Sequence, residues 1–74
     1  MTTTHTIHRT PEGYRYGETV HAALWDATTA VVDALCADLI PSERDHTTRW
    51  LYGALSARQA RAWLCGVKVE VTAP

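Results

Sequence analysis

The sequence predicts a single small α+β domain with an N-terminal β-hairpin, a long central helix, two shorter helices and a C-terminal strand that completes a three-stranded sheet. Two observations carry this prediction. Apolar residues fall at helical spacing through residues 18–40, and polar and apolar residues alternate near both ends of the chain. The 74 residues leave room for one domain, residues 1–74, in which we expect residues 1–4 to be disordered.

The first element is a predicted hairpin. Residues 6–9 and 14–16 alternate in polarity, and they flank a Thr-Pro-Glu-Gly segment at residues 10–13. Proline presets the backbone angle φ of the first central turn position, and glycine accepts the left-handed conformation that closes the turn. Tyr14 and Tyr16 should share one face of the sheet, where their rings either cover the core or stack on bases.

The long central helix is predicted over Glu18–Ile40. Thr19 is a candidate N-cap, and Pro41 should end the helix because the residue before a proline is disfavoured in the α region. The apolar arc of this helix is wider than half a turn and consists of Val20, Ala23, Leu24, Trp25, Ala27, Val31, Val32, Ala34, Leu35, Cys36 and Leu39. Most of the other elements must cover so broad an arc, or a second copy or a partner must help to cover it.

Two shorter helices should follow. The second is predicted from Glu43 or Thr48 to Tyr52, and Gly53 weakens its end. The third is predicted over Ala57–Leu64, because the preceding Ser-Ala-Arg-Gln segment is typical of a capping box.

The chain closes with a predicted strand. Gly66 should terminate the third helix, and Val67–Val71 then alternates strictly between valine and charged residues. The valines should face a core, while Lys68 and Glu70 lie on the opposite face. This strand must pair with the N-terminal strands, with the central helix across the apolar face of the sheet.

The size of the chain limits its stability. A domain this short buries only about 60 to 65% of the surface of its unfolded chain. A monomer must therefore recruit nearly every large apolar side chain into its core, including Trp25, Trp50 and Trp63. If these residues cannot all be covered, a homodimer would bury the remainder, and the sequence leaves that choice open.

The composition favours no enzymatic chemistry. We predict no catalytic residue, no cofactor and no metal ion, because no nucleophile, paired acid or ligand cluster stands at a suitable spacing. Two cysteines are too few for a disulfide framework, and we interpret Cys36 and Cys65 as reduced core thiols. Cys36 lies in the apolar arc, and Cys65 lies at the predicted C-terminus of a helix, so neither thiol should be activated.

Two sets of residues are candidates for partner binding. Trp25, Asp26 and Asp33 lie on the central helix, and its two aspartates form an outward stripe that could dock a basic partner. Residues 49–64 have the outline of a helix-turn-helix, in which Arg58, Gln59 and Arg61 would read base edges.

These observations lead to one functional hypothesis and one alternative. We expect a non-enzymatic protein-interaction module, such as a small accessory protein of a phage or mobile element that binds and modulates a host protein. The alternative is a sequence-specific DNA-binding transcriptional regulator, although the net charge of −1 gives no general attraction to nucleic acid. No stretch approaches the roughly 20 apolar residues that cross a bilayer, so we expect a cytoplasmic protein without a membrane partner.

Overall fold

The computed structural model describes residues 4–56 and 61–72, and in these ranges it confirms the α+β class. Five strands form one mixed sheet, and two helices pack on one face of it. The elements in chain order are β1 Thr4–Thr10, β2 Gly13–Tyr16, β3 Thr19–His21, α1 Leu24–Leu35, α2 Pro41–Ser56, β4 Arg61–Leu64 and β5 Val67–Thr72. The predicted three-stranded sheet is therefore too small by two strands.

The sheet has the order β3-β2-β1-β5-β4. The predicted hairpin and the predicted last strand are both present. β1 pairs antiparallel with β2 across the turn that joins Thr10 to Gly13, and it pairs in parallel with β5. Thr4 already pairs with Lys68, so the first strand begins inside the segment that was expected to be disordered.

The third strand replaces the predicted start of the central helix. β3 pairs antiparallel with β2 after a two-residue loop in which Gly17 has a φ of 63°. Glycine at the first central position is typical of a type II′ turn, whose twist matches that of a hairpin. The residues that follow, Thr19 and Val20, are β-branched and suit a strand. Helix α1 accordingly begins at Leu24 rather than at Glu18.

The central helix is also shorter at its other end. α1 ends at Leu35, and the next residue, Cys36, leaves the helical conformation with φ −133° and ψ 59°. The connection over residues 36–40 lets the chain reverse, so that α2 packs against α1. Pro41 does not end a helix but begins α2, where its missing N–H needs no partner.

Helix α2 runs without interruption through Gly53 to Ser56, four residues beyond the predicted end. At its N-terminus the Ile40 amide donates a hydrogen bond to the Glu43 carboxylate at 3.3 Å, which caps the helix in the manner of a capping box. The buried residues Thr48, Leu51 and Leu55 form the stripe that holds α2 on the sheet and on α1.

The predicted third helix is wrong over its described part. Residues 61–64 form strand β4, and residues 57–60 lie outside the described residues. Gly66 is not a helix terminator. With Cys65 it forms a two-residue hairpin loop between Leu64 and Val67, in which φ is 52° at Cys65 and 75° at Gly66. Positive φ at both positions defines a type I′ turn, the commonest connection between antiparallel strands.

The core lies between the helices and one face of the sheet, and it is aliphatic. Its buried members are Ile7, Leu24, Ala27, Val31, Val32, Leu51, Leu55, Ala62 and Val69. Tyr14 and Tyr16 pack against this cluster, which decides between the two roles proposed for their rings. None of the three tryptophans belongs to the core, contrary to expectation, and Val20 of the predicted arc is also exposed.

Candidate interaction surfaces

One face of the sheet carries no helix within residues 4–56 and 61–72. Ile7, Ala62 and Val69 are buried, so these positions of β1, β4 and β5 point to the helices. Because successive side chains of a strand point to opposite faces, their neighbours form the opposite face. We call this surface the open sheet face. Its residues are Thr4, Thr6, His8, Thr10, Arg15, Val20, Arg61, Trp63, Lys68, Glu70 and Thr72.

Trp63 is the dominant apolar group on the open sheet face. It lies on the edge strand β4, and its side chain and backbone together are 57% exposed. Its cross-strand partner is Lys68, and Arg61 lies two residues earlier on the same strand and therefore on the same face. An exposed indole thus shares this face with two neighbouring cationic residues.

The open sheet face carries more positive than negative charge. Arg15, Arg61 and Lys68 oppose the single acid Glu70, which leaves a formal charge of +2 on a chain whose total is −1. Lys68 and Glu70 lie 3.6 Å apart, so part of the lysine charge is neutralised. The arginines are left as the groups most able to attract an anionic partner.

The helical side carries the opposite charge. Asp33 forms a two-pronged ion pair with Arg44, with 2.8 Å between Asp33 Oδ2 and Arg44 Nη2. The hydrogen bond from Arg44 lowers the pKa of the Asp33 carboxyl, while burial opposes this shift and the positive charge of Arg44 adds to it. Asp26 and Asp38 are exposed in the same layer.

An aromatic pair bridges the two helices. Trp25 of α1 contacts Tyr52 of α2 edge to face, with ring centroids 5.4 Å apart, and both residues stay more than a third exposed. Trp50 is 51% exposed and lies two positions from Tyr52, which places it on the flank of α2 that is turned away from α1. The helical side therefore has two separate aromatic positions.

The structure divides the predicted partner-binding residues between two opposite sides of the molecule. Trp25, Asp26 and Asp33 lie in the helical layer, where Asp33 is already paired with Arg44. Arg61 lies on the open sheet face, in a strand rather than in a recognition helix. Arg58 and Gln59 lie outside the described residues.

Sequence reasoning missed the open sheet face because it assigned Trp63 to the inward side of a helix. A signal for the strand was present in the four residues from Arg61 to Leu64, which are followed by Cys-Gly and then by alternating valines. Two strands separated by a two-residue loop that ends in glycine are typical of a hairpin.

The two cysteines lie next to each other, at the end of the molecule where α1 stops and the β4–β5 turn reverses. The distance between Cys36 Sγ and Cys65 Sγ is 3.0 Å. Cys36 is half-buried and Cys65 is exposed, so they are not the core thiols that the sequence predicts. Burial and the hydrogen bond with Cys65 raise the pKa of the Cys36 thiol to about 11.

Other kinds of site have no support in the described ranges. Across residues 4–56 and 61–72, no three histidine, cysteine or acidic side chains converge as metal ligands, and no pocket opens in this part of the surface. Neither described helix combines the length and the hydropathy needed to cross a membrane.

Comparison with known proteins assigns neither a family nor a function to the chain. No protein-family model, no curated protein and no solved structure matches the chain. Any function must therefore be inferred from the geometry of the open sheet face and of the helical side.

Proposed function

We propose that this protein is a non-enzymatic protein-interaction module. The observation that carries the proposal is the exposure of all three tryptophans: 36% for Trp25, 51% for Trp50 and 57% for Trp63. The core closes with aliphatic residues, so the fold does not recruit these side chains to exclude water from its interior. A binding role explains why a chain this small presents three indoles to solvent.

The energetics of interfaces support this interpretation. A buried tryptophan removes about 150 to 250 Å² from water, and tryptophan, tyrosine and arginine dominate the residues that carry most of the affinity at protein interfaces. Trp63 with Arg61 on the open sheet face supplies two of these residue types side by side. The charge of this face favours a partner whose contact surface is acidic.

The biological setting that we propose is that of a small accessory protein, encoded by a phage or mobile element, which binds and modulates a larger host protein in the cytoplasm. In this setting the open sheet face docks on the partner, and the acidic helical layer remains on the outside. The sheet side is favoured because Trp63 and an excess of positive charge lie on the same face.

A comparison of two tryptophan variants tests the proposal. The tagged wild-type chain, Trp63→Ala and Trp50→Ala are used to capture proteins from cells that carry the native gene. Trp50 is the matched control because it is the same residue type with similar exposure on the other side of the molecule. We expect an acidic partner that is recovered with the wild type and with Trp50→Ala and is lost with Trp63→Ala.

Two results would contradict this assignment. A partner that is lost with Trp50→Ala or Trp25→Ala and kept with Trp63→Ala would move the interface to the helical side. Recovery of the same proteins with all variants would show that the tryptophans do not mediate binding. Circular dichroism of each variant verifies that the fold is intact.

Nucleic-acid binding is the second candidate, and the open sheet face also favours it. Sheets that bind single strands combine cationic side chains with aromatic rings on which bases stack, as Arg61, Lys68 and Trp63 could do. The helix-turn-helix route to a DNA-binding regulator is weaker, because residues 61–64 form a strand.

Titration with a single-stranded oligonucleotide distinguishes this candidate. If it is correct, tryptophan fluorescence is quenched at low salt in the wild type and much less in Trp63→Ala, and the affinity falls steeply as salt is added. Unchanged fluorescence at low salt would exclude it.

A homodimer is the third arrangement that we propose to test. The Trp25–Tyr52 pair leaves apolar surface on the helical side, and a two-fold contact would bury it on both copies. Sedimentation of the wild type and of Trp25→Ala at increasing concentration answers the question: a dimer through this pair dissociates in the variant, whereas a strict monomer excludes it.

A further inference from the structure

The closeness of the two cysteine sulfurs is specific to the tertiary fold. Cys36 and Cys65 are 29 positions apart in the chain, yet their Sγ atoms are 3.0 Å apart. A covalent disulfide measures about 2.05 Å between sulfurs, so only a small movement separates this contact from a bond. One cysteine follows the last residue of α1, and the other lies in the β4–β5 turn, so each is held by a regular element.

The backbone at Cys65 gives a second, independent observation. Its φ of 52° is the one positive value at a non-glycine residue among the described residues. The first central position of a type I′ turn strongly favours asparagine, aspartate or glycine, and other side chains are strained there. A cysteine at this position accepts that strain, and its thiol meets the other cysteine of the chain.

We propose that Cys36 and Cys65 form an intramolecular disulfide by exchange with a small-molecule disulfide of the glutathione type. The thiolate of Cys65 attacks one sulfur of the oxidised reagent, which forms a mixed disulfide and releases one reduced thiol. The thiolate of Cys36 then attacks the Cys65 sulfur, which forms the protein disulfide and releases the second reduced thiol. The protein loses two protons and two electrons, and the reagent accepts both.

The exposure of the two residues sets the order of these steps. Cys65 is exposed in a turn, where a reagent can reach it, whereas Cys36 is half-buried. The raised pKa of Cys36 makes it a poor first nucleophile, since the thiolate is the attacking species. In the second step the 3.0 Å contact of the two sulfurs offsets the raised pKa of Cys36, because the attack is intramolecular.

The bond would join the two layers of the fold at one end. It would connect the C-terminus of α1 to the β4–β5 hairpin and hold the strand that carries Trp63, which lies two residues before Cys65. The reduced and oxidised forms should therefore differ in how firmly the open sheet face is held. Loop closure over 29 positions predicts that oxidation raises the melting temperature by at least about 10 °C.

Equilibration of the purified chain with reduced and oxidised glutathione tests the proposal. Samples are trapped with an alkylating reagent and read by intact mass. We expect the wild type to change from a doubly alkylated chain to a chain that lacks two hydrogen atoms and takes no alkyl group. The glutathione ratio at half-oxidation should be the same after tenfold dilution of the protein, because the reaction is intramolecular.

Two comparisons make the test specific to the folded geometry. In denaturant the wild type should need at least about 100-fold more oxidising conditions to close, because the fold no longer holds the sulfurs together. Cys36→Ser should retain one glutathione as a mixed disulfide at the exposed Cys65, whereas Cys65→Asn should react much more slowly because Cys36 is half-buried. Neither variant should show a large rise in melting temperature on oxidation. Asparagine is chosen at position 65 because it tolerates positive φ, so the turn is preserved.

Three results would overturn the proposal. The first is a wild type that carries two glutathione molecules at equilibrium, and the second is a disulfide-linked dimer whose amount rises with protein concentration. The third is closure that is no easier in the folded protein than in denaturant.

Discussion

Gly53→Ala should stabilise the protein, because this glycine lies within the longest helix, α2, near its C-terminal end. Gly53 is exposed within α2, and a Cβ placed on it meets no atom within 4 Å. Glycine in a helix interior is less favourable than alanine by about 0.5 to 1 kcal/mol, because the unfolded chain is freer and the helix gains nothing in return. For a domain of this size, we expect the melting temperature to rise by about 2 to 8 °C.

The matched control is Gly13→Ala, which makes the same chemical change at a position where the structure forbids it. Gly13 has a φ of 140°, and a Cβ on it would lie 2.3 Å from the carbonyl oxygen of His21. Either the β2–β3 register shifts or the turn opens, and residues forced into such glycine-only conformations cost about 1 to 3 kcal/mol. The melting temperature should fall by at least about 4 °C.

Thermal unfolding of both variants, followed by circular dichroism and checked by urea titration, measures the two changes in stability. A destabilised Gly53→Ala would refute the reasoning, because it would mean that Gly53 adopts a turn conformation that alanine resists. That is the conformation required by the helix-turn-helix interpretation of residues 49–64. The experiment therefore tests the continuity of α2 as well as the stability estimate.

Three further predictions follow from the core, the surface ion pair and the strained turn. Leu51→Ala should lower the free energy of unfolding in urea by about 2 to 5 kcal/mol because Leu51 is fully buried, whereas Leu35→Ala should lower it less because Leu35 is half-buried. Equal losses for the two variants would show that the core is misplaced. The pKa of Asp33 is lowered in the folded protein, so its ion pair stabilises the protein above the ordinary pKa of 3.8, and this stability is lost as the pH falls below that value. In a plot of urea midpoint against pH, Asp33→Asn should reduce the slope in this acidic range, and an unchanged plot would refute the prediction. Cys65→Asn should raise the urea midpoint of the reduced protein, since asparagine suits the first position of a type I′ turn, and a lower midpoint would contradict the turn assignment.

Local patterns in the sequence determined the elements whose signals are complete within a few residues. The Thr-Pro-Glu-Gly turn and its flanking strands, and the alternation of Val67–Val71, predict β1, β2 and β5 correctly. The centre of α1 is also correct, because Leu24, Ala27 and Val31 repeat at helical spacing and are buried. In each case the side chains that specify the element are those that pack it, so propensity and burial agree.

The errors fall where the same residues suit two structures. Thr19 suits the N-cap of a helix and Val20 continues its apolar pattern, but both residues also pair as a third strand once Gly17 turns the chain. Pro41 is compatible with the end of one helix and with the first residue of the next. Residues 61–64 can be helical by spacing, but pairing with β5 makes them a strand, because the sheet edge supplies backbone partners that the isolated sequence cannot show.

The length and the patterning of the sequence determined that the chain is one small α+β domain, with three tryptophans whose large aromatic surface we expected in the core. Only the tertiary structure decided where that surface lies. Trp63 would face the core on the predicted third helix, but on strand β4 it points away from the core and is exposed. The structure moved Trp63 to the open sheet face beside Arg61 and brought Cys36 to 3.0 Å from Cys65. Both placements depend on the register of β4 against β5, and register is fixed by contacts between residues distant in the chain.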